Sequence, residues 1–464
     1  MSSRPRGWRA LLGGWSRDRL FSKVLRNSTY LFASYALGAV LTILTAKLLG
    51  AASFGVLGTV TVFSSNINRL FSFRMGEMVV KYMGDALAHN NPRRAAAAVK
   101  TAVLVEAVTS LLAFGALALL APVGAIYFAK DPNTAPLFVL YGISILANLV
   151  YETSIGVLQV TNHYRSQALI NFIQTVLVAI LLGLAAVYQA GLETVLWIYL
   201  IGKIILGLGP AFVALYWLPR AVGPGWWRVP LSEMPSWREV IHFSFSTNFS
   251  STINMVARDS EVPIVSFFFG PTAAGYFKMA LALINLVVMP ITPFISTTYP
   301  EFTRSYANRA WNRLRSLLQR VTLVSAGWTL LVTLALVLGR DILFAPFTLF
   351  GRTFNLLSEY APAYPALMLL LIGYGVANIF FWNRPLLLAQ GLADYPLKVA
   401  FWGMVIKVVL MLTLLPRTNY LVEAALLSAY LAGTVALIVW RGLREIRKAE
   451  QQTLRGDLLE SSLG

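Results

Sequence analysis

The chain has 464 residues, of which 57% are hydrophobic and 12% charged, and its mean hydropathy is +0.66. Soluble proteins carry about 25% charged residues, so this composition excludes a soluble domain on a single anchor and requires a multi-spanning membrane protein. The net charge of +18 rests on basic residues set mainly between apolar runs, which favours membrane topology and anionic lipid, not nucleic acid, as its cause.

Residues 1–26 hold no apolar core ahead of a cleavage site, so they do not read as a signal peptide. Trp8, Leu11, Leu12 and Trp15 recur there at helical spacing between arginines, which predicts an amphipathic cytoplasmic segment on the inner leaflet. Six apolar segments follow at roughly 27–49, 54–80, 97–120, 136–158, 166–188 and 193–217, each near the length that crosses a bilayer. A linker, 218–239, carries PGWWRVP. Six more segments lie at roughly 240–268, 272–299, 318–339, 360–388, 396–415 and 420–440. Trp311, Leu314, Leu318 and Val321 repeat the amphipathic spacing beside five arginines and are expected to lie on the leaflet too. The chain thus reads as an all-α integral membrane protein of about twelve spans. Its divisions are an N-terminal half 27–217, the linker, a C-terminal half 240–441 and a cytoplasmic tail 442–464.

With both termini inside, the cytoplasmic segments hold twenty-four basic residues and the outer loops four. That bias predicts an N-in, C-in orientation. Cysteine is absent, and His89, His163 and His242 show no ligand spacing, so neither thiol chemistry nor a metal site is expected. No P-loop, GxGxxG or HExxH occurs. Without a nucleotide site, transport must run on a gradient or on the substrate's own free energy, with no cofactor.

LLGAASFGVL (Leu48–Leu57) is repeated as FFGPTAAGYF (Phe268–Phe277), with Gly50 and Gly55 matching Gly270 and Gly275 at an offset of 220. The basic linker 81–100 aligns with 301–320, and Gln159 and Tyr164 match Gln390 and Tyr395 at an offset of 231. Two six-helix halves in the same orientation are expected to enclose a site at their interface. GAASFGVLG and IVSFFFGPTAAGYFKMALAL resemble the polysaccharide-transporter family, which includes Wzx-type oligosaccharide flippases and belongs to one superfamily with MATE exporters and lipid II flippases. That family often has Asp nine residues before the first glycine of the second turn; Glu261 stands there. Lipid II flippases usually have fourteen spans, so twelve argues against that branch.

In the seventh span, Ser244, Thr247, Asn248, Ser251, Asn254, Arg258 and Glu261 fall within about 140° at 100° per residue. Asp259 lies just beyond, and Arg258 is spaced to pair with Glu261. In the second span, Asn66, Arg69, Arg74, Glu77 and Lys81 share an arc of similar width, with Lys81 read as reaching for the interface. Other candidates for buried charges are Lys47, Glu106, Glu152, Lys203, Lys278, Arg384, near an inner helix end, and Lys407. Each intramembrane charge costs about 2.5–3.5 kcal/mol at a helix centre, so a wet interior is expected to receive them. The basic residues outnumber the acids, which suits an anionic substrate.

The resemblance implies that this substrate is an oligosaccharide on undecaprenyl diphosphate, flipped across the bacterial inner membrane for O-antigen, capsule or exopolysaccharide synthesis. Arg69, Arg74, Arg258 and Lys278, with Lys203, are the candidates to hold phosphate. Asn66, Asn248, Ser251 and Asn254 are the candidates for sugar hydroxyls. Glu261, Asp259 and Glu77 are the candidates to couple a proton or sodium ion. By resemblance the partners are a polymerase and a chain-length regulator. The alternatives are a MATE-like multidrug exporter, or a membrane glycosyltransferase or polymerase. Such enzymes commonly place catalytic groups in a large outer loop, and the outer loops here are short.

Overall fold

The computed structural model describes residues 19–71, 73, 75–234, 248–349 and 352–463. The amphipathic segment expected around Trp8–Trp15, together with Arg74, Ser244 and Thr247, lies outside them.

The chain is built almost wholly from helices, and it runs through them in two similar passages. The first holds α1 (Arg19–Phe71), α2 (Met75–Ala88), α3 (Pro92–Val123), α4 (Ala135–Ala147), α5 (Tyr151–Val160), α6 (Tyr164–Val187) and α7 (Leu192–Val222). The second opens on a helical stretch at 248–254 and a π-helical turn, Met255–Asp259. It continues with α8 (Glu261–Phe269), α9 (Pro271–Val288), α10 (Thr292–Ala307), α11 (Trp311–Leu338) and the short α12 (Arg340–Phe344). It closes with α13 (Ala363–Ile379), α14 (Asn383–Ala389), α15 (Asp394–Leu414) and α16 (Tyr420–Leu463). A small antiparallel hairpin, β1 (Phe347–Leu349) with β2 (Arg352–Phe354), sits in the loop before α13.

Ten helices among the described residues are long and apolar enough to span a membrane. The sequence predicts about twelve, and two places account for the difference. Leu37–Phe71 counts once although Gly50 breaks it, and the seventh segment lies partly outside the described residues and holds Arg258, Asp259 and Glu261 in the rest. Large apolar side chains such as Leu119, Val187, Leu330 and Trp402 stand exposed on the outer faces, as lipid contact requires.

The repeated turns are the architectural hinge points. Gly50 (φ 72°, ψ 169°) and Gly270 (φ 86°, ψ 171°) adopt the same left-sided conformation, open to glycine because it lacks a Cβ. Each ends one helix and starts another, the second with Pro271 in the first helical turn. Gly55 and Gly275 then let these two helices touch through their backbones. A Cβ on Gly55 would lie 1.8 Å from Pro271 O, and one on Gly275 1.9 Å from Ala51 O. The halves therefore meet at one end through small residues, the usual solution where lipid removes any hydrophobic drive between helices. Phe54, Leu57, Val60, Phe277, Ala280 and Ile284 extend this contact as the largest buried cluster.

The repetition continues beyond the turns. α1 gives way to α2 after Phe71, and α9 gives way to α10 at Met289–Ile291, at nearly the spacing of the turns. The crossing formed by α4 and α5 breaks at 148–150, and the one formed by α13 and α14 breaks at 380–382.

One feature departs from expectation. The apolar face of Trp311–Val321 does not lie on the leaflet. Leu314, Leu318 and Val321 are buried against Phe302, Trp382, Leu386 and Ile446, because α10, α14 and α16 supply the apolar surface that lipid was expected to supply. α16 carries the last span straight on through the tail to Leu463. An ion pair between Arg315 and Glu450 ties it to α11.

Candidate substrate cavity

Two adjoining cavities open inside the bundle, the first between the halves and the second within the C-terminal half. The first, about 680 Å³, is lined from the N-terminal half by Ser64, Ser65, Asn68, Arg69, Glu77, Glu152 and Lys203, and from the C-terminal half by Ser250, Ser251, Asn254, Arg258, Asp259 and Arg384. The second, about 630 Å³, belongs to the C-terminal half and is more apolar, with Ile253, Tyr374, Phe381, Leu397, Tyr430 and Val435 on its walls. Ser250, Asn254, Arg258 and Arg384 border both.

The π turn explains why the seventh segment serves two environments. It closes with a longer ring than an α-helix, and Ser260 Oγ donates to Met255 O, five residues back, at 2.8 Å. The extra width shifts the helical phase. Arg258 and Asp259 face the first cavity, whereas Glu261 turns away into the C-terminal half. The expected Arg258–Glu261 pair is therefore absent. Arg258 Nε lies 3.6 Å from its neighbour Asp259 Oδ1, and Arg69 Nη1 donates to Asp259 Oδ2 at 2.6 Å. Asn66 Nδ2 donates to Ser260 Oγ at 2.9 Å beside it. These two contacts tie the second segment of the N-terminal half to the π turn of the other.

Glu261 instead meets two residues from distant helices. Lys407 of α15 and Glu423 of α16 join it in a fully enclosed cluster, with Lys407, Glu261 and Glu423 exposed by 3%, 1% and 0%. Lys407 Nζ donates to Glu261 Oε1 and to Ala257 O (2.9 Å), and lies 2.9 Å from Glu423 Oε1.

The structure thus sorts the sequence candidates. Arg69, Lys203, Arg258, Ser251, Asn254, Glu77 and Asp259 line the first cavity. Lys278 does not line it. Its ammonium lies 4.2 Å from the centre of the Phe54 ring and 3.5 Å from Phe54 O, within the helix contact at Gly58. Asn66 is engaged by Ser260, and neither Asn248 nor Glu261 is on the lining of either cavity. Glu106 holds the backbone together, because its two oxygens accept the N–H groups of Glu152 (2.8 Å) and Thr153 (2.9 Å) where α5 begins.

Two residues matter more in the structure than in the sequence. Arg384, placed at a helix end by the sequence, is shared by both cavities. Glu423 was missed. It lies in the first turn of α16, where hydropathy hides a charge among interfacial residues. The available signal was Lys407, a cation within a span that requires a partner at similar depth on the next antiparallel helix.

The surroundings of this architecture among known proteins agree with it. The profile of the family described as polysaccharide biosynthesis protein matches residues 44–344. The inner membrane protein YghQ of Escherichia coli (strain K12) is 25% identical over 338 residues, covering 71% of this chain and 94% of that one. A multidrug resistance MATE family transporter of the MOP superfamily, solved in an inward-facing conformation, superposes with a TM-score of 0.69 at 13% identity, over 90% of this chain and 95% of its own. The lipid II flippase MurJ in an inward closed conformation gives 0.66 at 14% identity, over 92% and 90%. At such identity the likeness is one of fold, and the fold is that of the MATE-like transporters. The family match spans well over half of the sequence, and the chain belongs to the polysaccharide biosynthesis protein family.

Proposed function

We propose that the protein flips an undecaprenyl-diphosphate-linked oligosaccharide across the bacterial inner membrane by alternating access, in the synthesis of O-antigen, capsule or exopolysaccharide. The observation that carries this reading is a polar cavity between two halves with cationic side chains from both: Arg69 and Lys203 on one side, Arg258 and Arg384 on the other. Its lining holds as many acids as bases, so the reading does not rest on the residue count across the spans. Asp259 is engaged by Arg69 and Arg258, and Glu106 by two backbone amides. Lys203 and Arg384 form no ion pair among the described residues and remain to meet an anion.

Guanidinium groups clamp phosphate oxygens with paired donors, and the contact strengthens where water is thin. Ser64, Ser251 and Asn254 offer donors and acceptors suited to sugar hydroxyls. The prenyl chain stays in the bilayer beside the cavity. With both termini inside, the Gly55–Gly275 contact closes the outer end, and the cavity loads from the cytoplasm. The inner-membrane relative supports that location, and a polymerase and chain-length regulator would act downstream. A drug-exporter function is the second reading, favoured by Glu77 and Glu152 on the lining. A strain carrying Arg258→Ala separates the two. The flippase reading expects loss of surface polysaccharide at normal membrane abundance and unchanged sensitivity to cationic dyes. Normal polysaccharide with altered dye efflux would overturn it.

A further inference from the structure

We propose that Glu261, Glu423 and Lys407 form a proton-binding site behind the cavity wall, whose occupancy is transmitted to the cavity through the π turn Met255–Asp259. The transmission rests on the transport function proposed above; the proton site itself does not.

Two carboxylates share one ammonium, all three enclosed. Fully ionised, the cluster carries one excess negative charge with no water to solvate it, a state a protein interior tolerates poorly. The hydrogen-bond inventory points the same way. An ammonium has three donors; Lys407 donates to Ala257 O and Glu261 Oε1, and its nitrogen lies 2.9 Å from Glu423 Oε1 as an ion pair. Glu261 Oε2 and both carboxylate oxygens of Glu423 are left buried with no hydrogen-bond donor. One proton supplies one of the missing donors: it converts one carboxylate to a carboxylic acid, and the cluster becomes neutral. A sodium ion fits less well. The ammonium already occupies the position between the two carboxylates and would repel a second cation. Among the described residues no third carboxylate or imidazole gathers there.

The site's reach follows from connectivity. The carbonyl that anchors Lys407 belongs to Ala257, in the middle of the π turn. The next two residues, Arg258 and Asp259, face the first cavity, and Asp259 holds Arg69 across the interface. Neutralising a carboxylate weakens its hold on Lys407, which shifts the ammonium between Ala257 O and the remaining acid and so loads or releases the turn. The other groups in electrostatic reach are Tyr374 on α13, which senses Glu261, Arg258 and Asp259, and Tyr430 on α16, which senses Lys407, Arg258 and Asp259. Both tyrosines line the second cavity. Lys278 on α9 is held at Phe54 and takes no part.

The test uses the full chain in lipid nanodiscs and reads the infrared band of protonated carboxyl groups as pH is varied. Wild type is expected to show a buried carboxyl band that titrates, is insensitive to sodium chloride in place of potassium chloride, and is lost in Glu423→Gln and in Glu261→Gln. Both changes keep side-chain shape, and a melting temperature near wild type shows that the variant folds. A band unaffected by either substitution, or one displaced by sodium, overturns the proposal. In liposomes, the ratio of lipid-linked oligosaccharide flipping with and without a pH gradient should fall to unity in Glu423→Gln. If no glycan is flipped by wild type, the transport reading fails while the infrared result still decides the proton site.

Discussion

Gly55 and Gly275 sit face to face across the two halves, each pressed on the first residue of the other's helix. The space for a Cβ on one is filled by Pro271 O and on the other by Ala51 O. Because the clashing atoms are backbone, no side chain can rotate away. Gly55→Ala or Gly275→Ala is therefore expected to force the helices apart and lower stability by about 1–3 kcal/mol, the range for overpacking. Thermal unfolding in detergent checks this. Gly38→Ala, where a Cβ meets nothing within 4 Å, serves as the matched control and should leave the melting temperature unchanged.

A second fastening lies beside that contact. Glu359 Oε1 accepts the Ala51 N–H at 2.6 Å, capping a helix N-terminus in the opposite half, and the buried Tyr360 hydroxyl donates to Ala46 O at 2.8 Å. A carboxylate at a helix start contributes about 0.5–2 kcal/mol. Burial, reinforced by the Glu359 charge, pushes the Tyr360 hydroxyl well above its ordinary pKa, so it remains a donor throughout the physiological range. Glu359→Ala is expected to shift the population toward a state open at this end, by about five-fold for each 1 kcal/mol lost. The chain has no cysteine, so a single cysteine introduced at Ala46 reports the shift without background. Its labelling by an impermeant thiol reagent should rise in the Glu359→Ala background, and unchanged labelling would contradict the latch.

The Arg69–Asp259 bridge joins the halves within the cavity, but its side chains are 43% and 34% exposed. Such a pair contributes about 0–1 kcal/mol to stability. Arg69→Ala and Arg258→Ala should therefore melt within a few degrees of wild type while flipping falls by about ten-fold or more, the factor for losing one charge-assisted contact of roughly 1.4–3 kcal/mol. A large loss of stability with intact transport per folded molecule would assign these arginines a structural role instead.

The enclosed cluster behaves oppositely. Lys407→Met leaves two carboxylates without their cation, and breaking a buried ion pair from one side costs about 3–5 kcal/mol. Combining it with Glu261→Gln and Glu423→Gln removes the orphaned charge, so the triple variant should recover most of the lost stability. Non-additivity in a thermodynamic cycle of unfolding free energies measures this. Additive losses would show that the three groups do not act as a unit.

How much of this was legible follows from the range of each signal. Gly50, Gly55, Gly270 and Gly275 are visible as a repeat because a turn and a close approach each demand glycine locally. The polar character of the seventh segment was visible for the same reason. The facing of its residues was not: a uniform 100° per residue carries Glu261 onto the cavity side, and the π turn at Met255–Asp259 removes it. Glu423 and the engagement of Lys278 at Phe54 depend on which helices lie side by side, a long-range fact that single-segment periodicity does not contain. The Trp311–Val321 face was correctly apolar and wrongly assigned to lipid, since an amphipathic stripe does not say whether protein or bilayer covers it.

The central claim is movement of a diphosphate-linked oligosaccharide through the cavity between the halves. It is tested most directly in liposomes carrying a polyprenyl-diphosphate oligosaccharide on the inner leaflet only, with an impermeant lectin outside to report exposure. The account predicts lectin binding that depends on the protein and is lost with Arg258→Ala. Exposure that never exceeds that of protein-free liposomes, across several glycans, would contradict it.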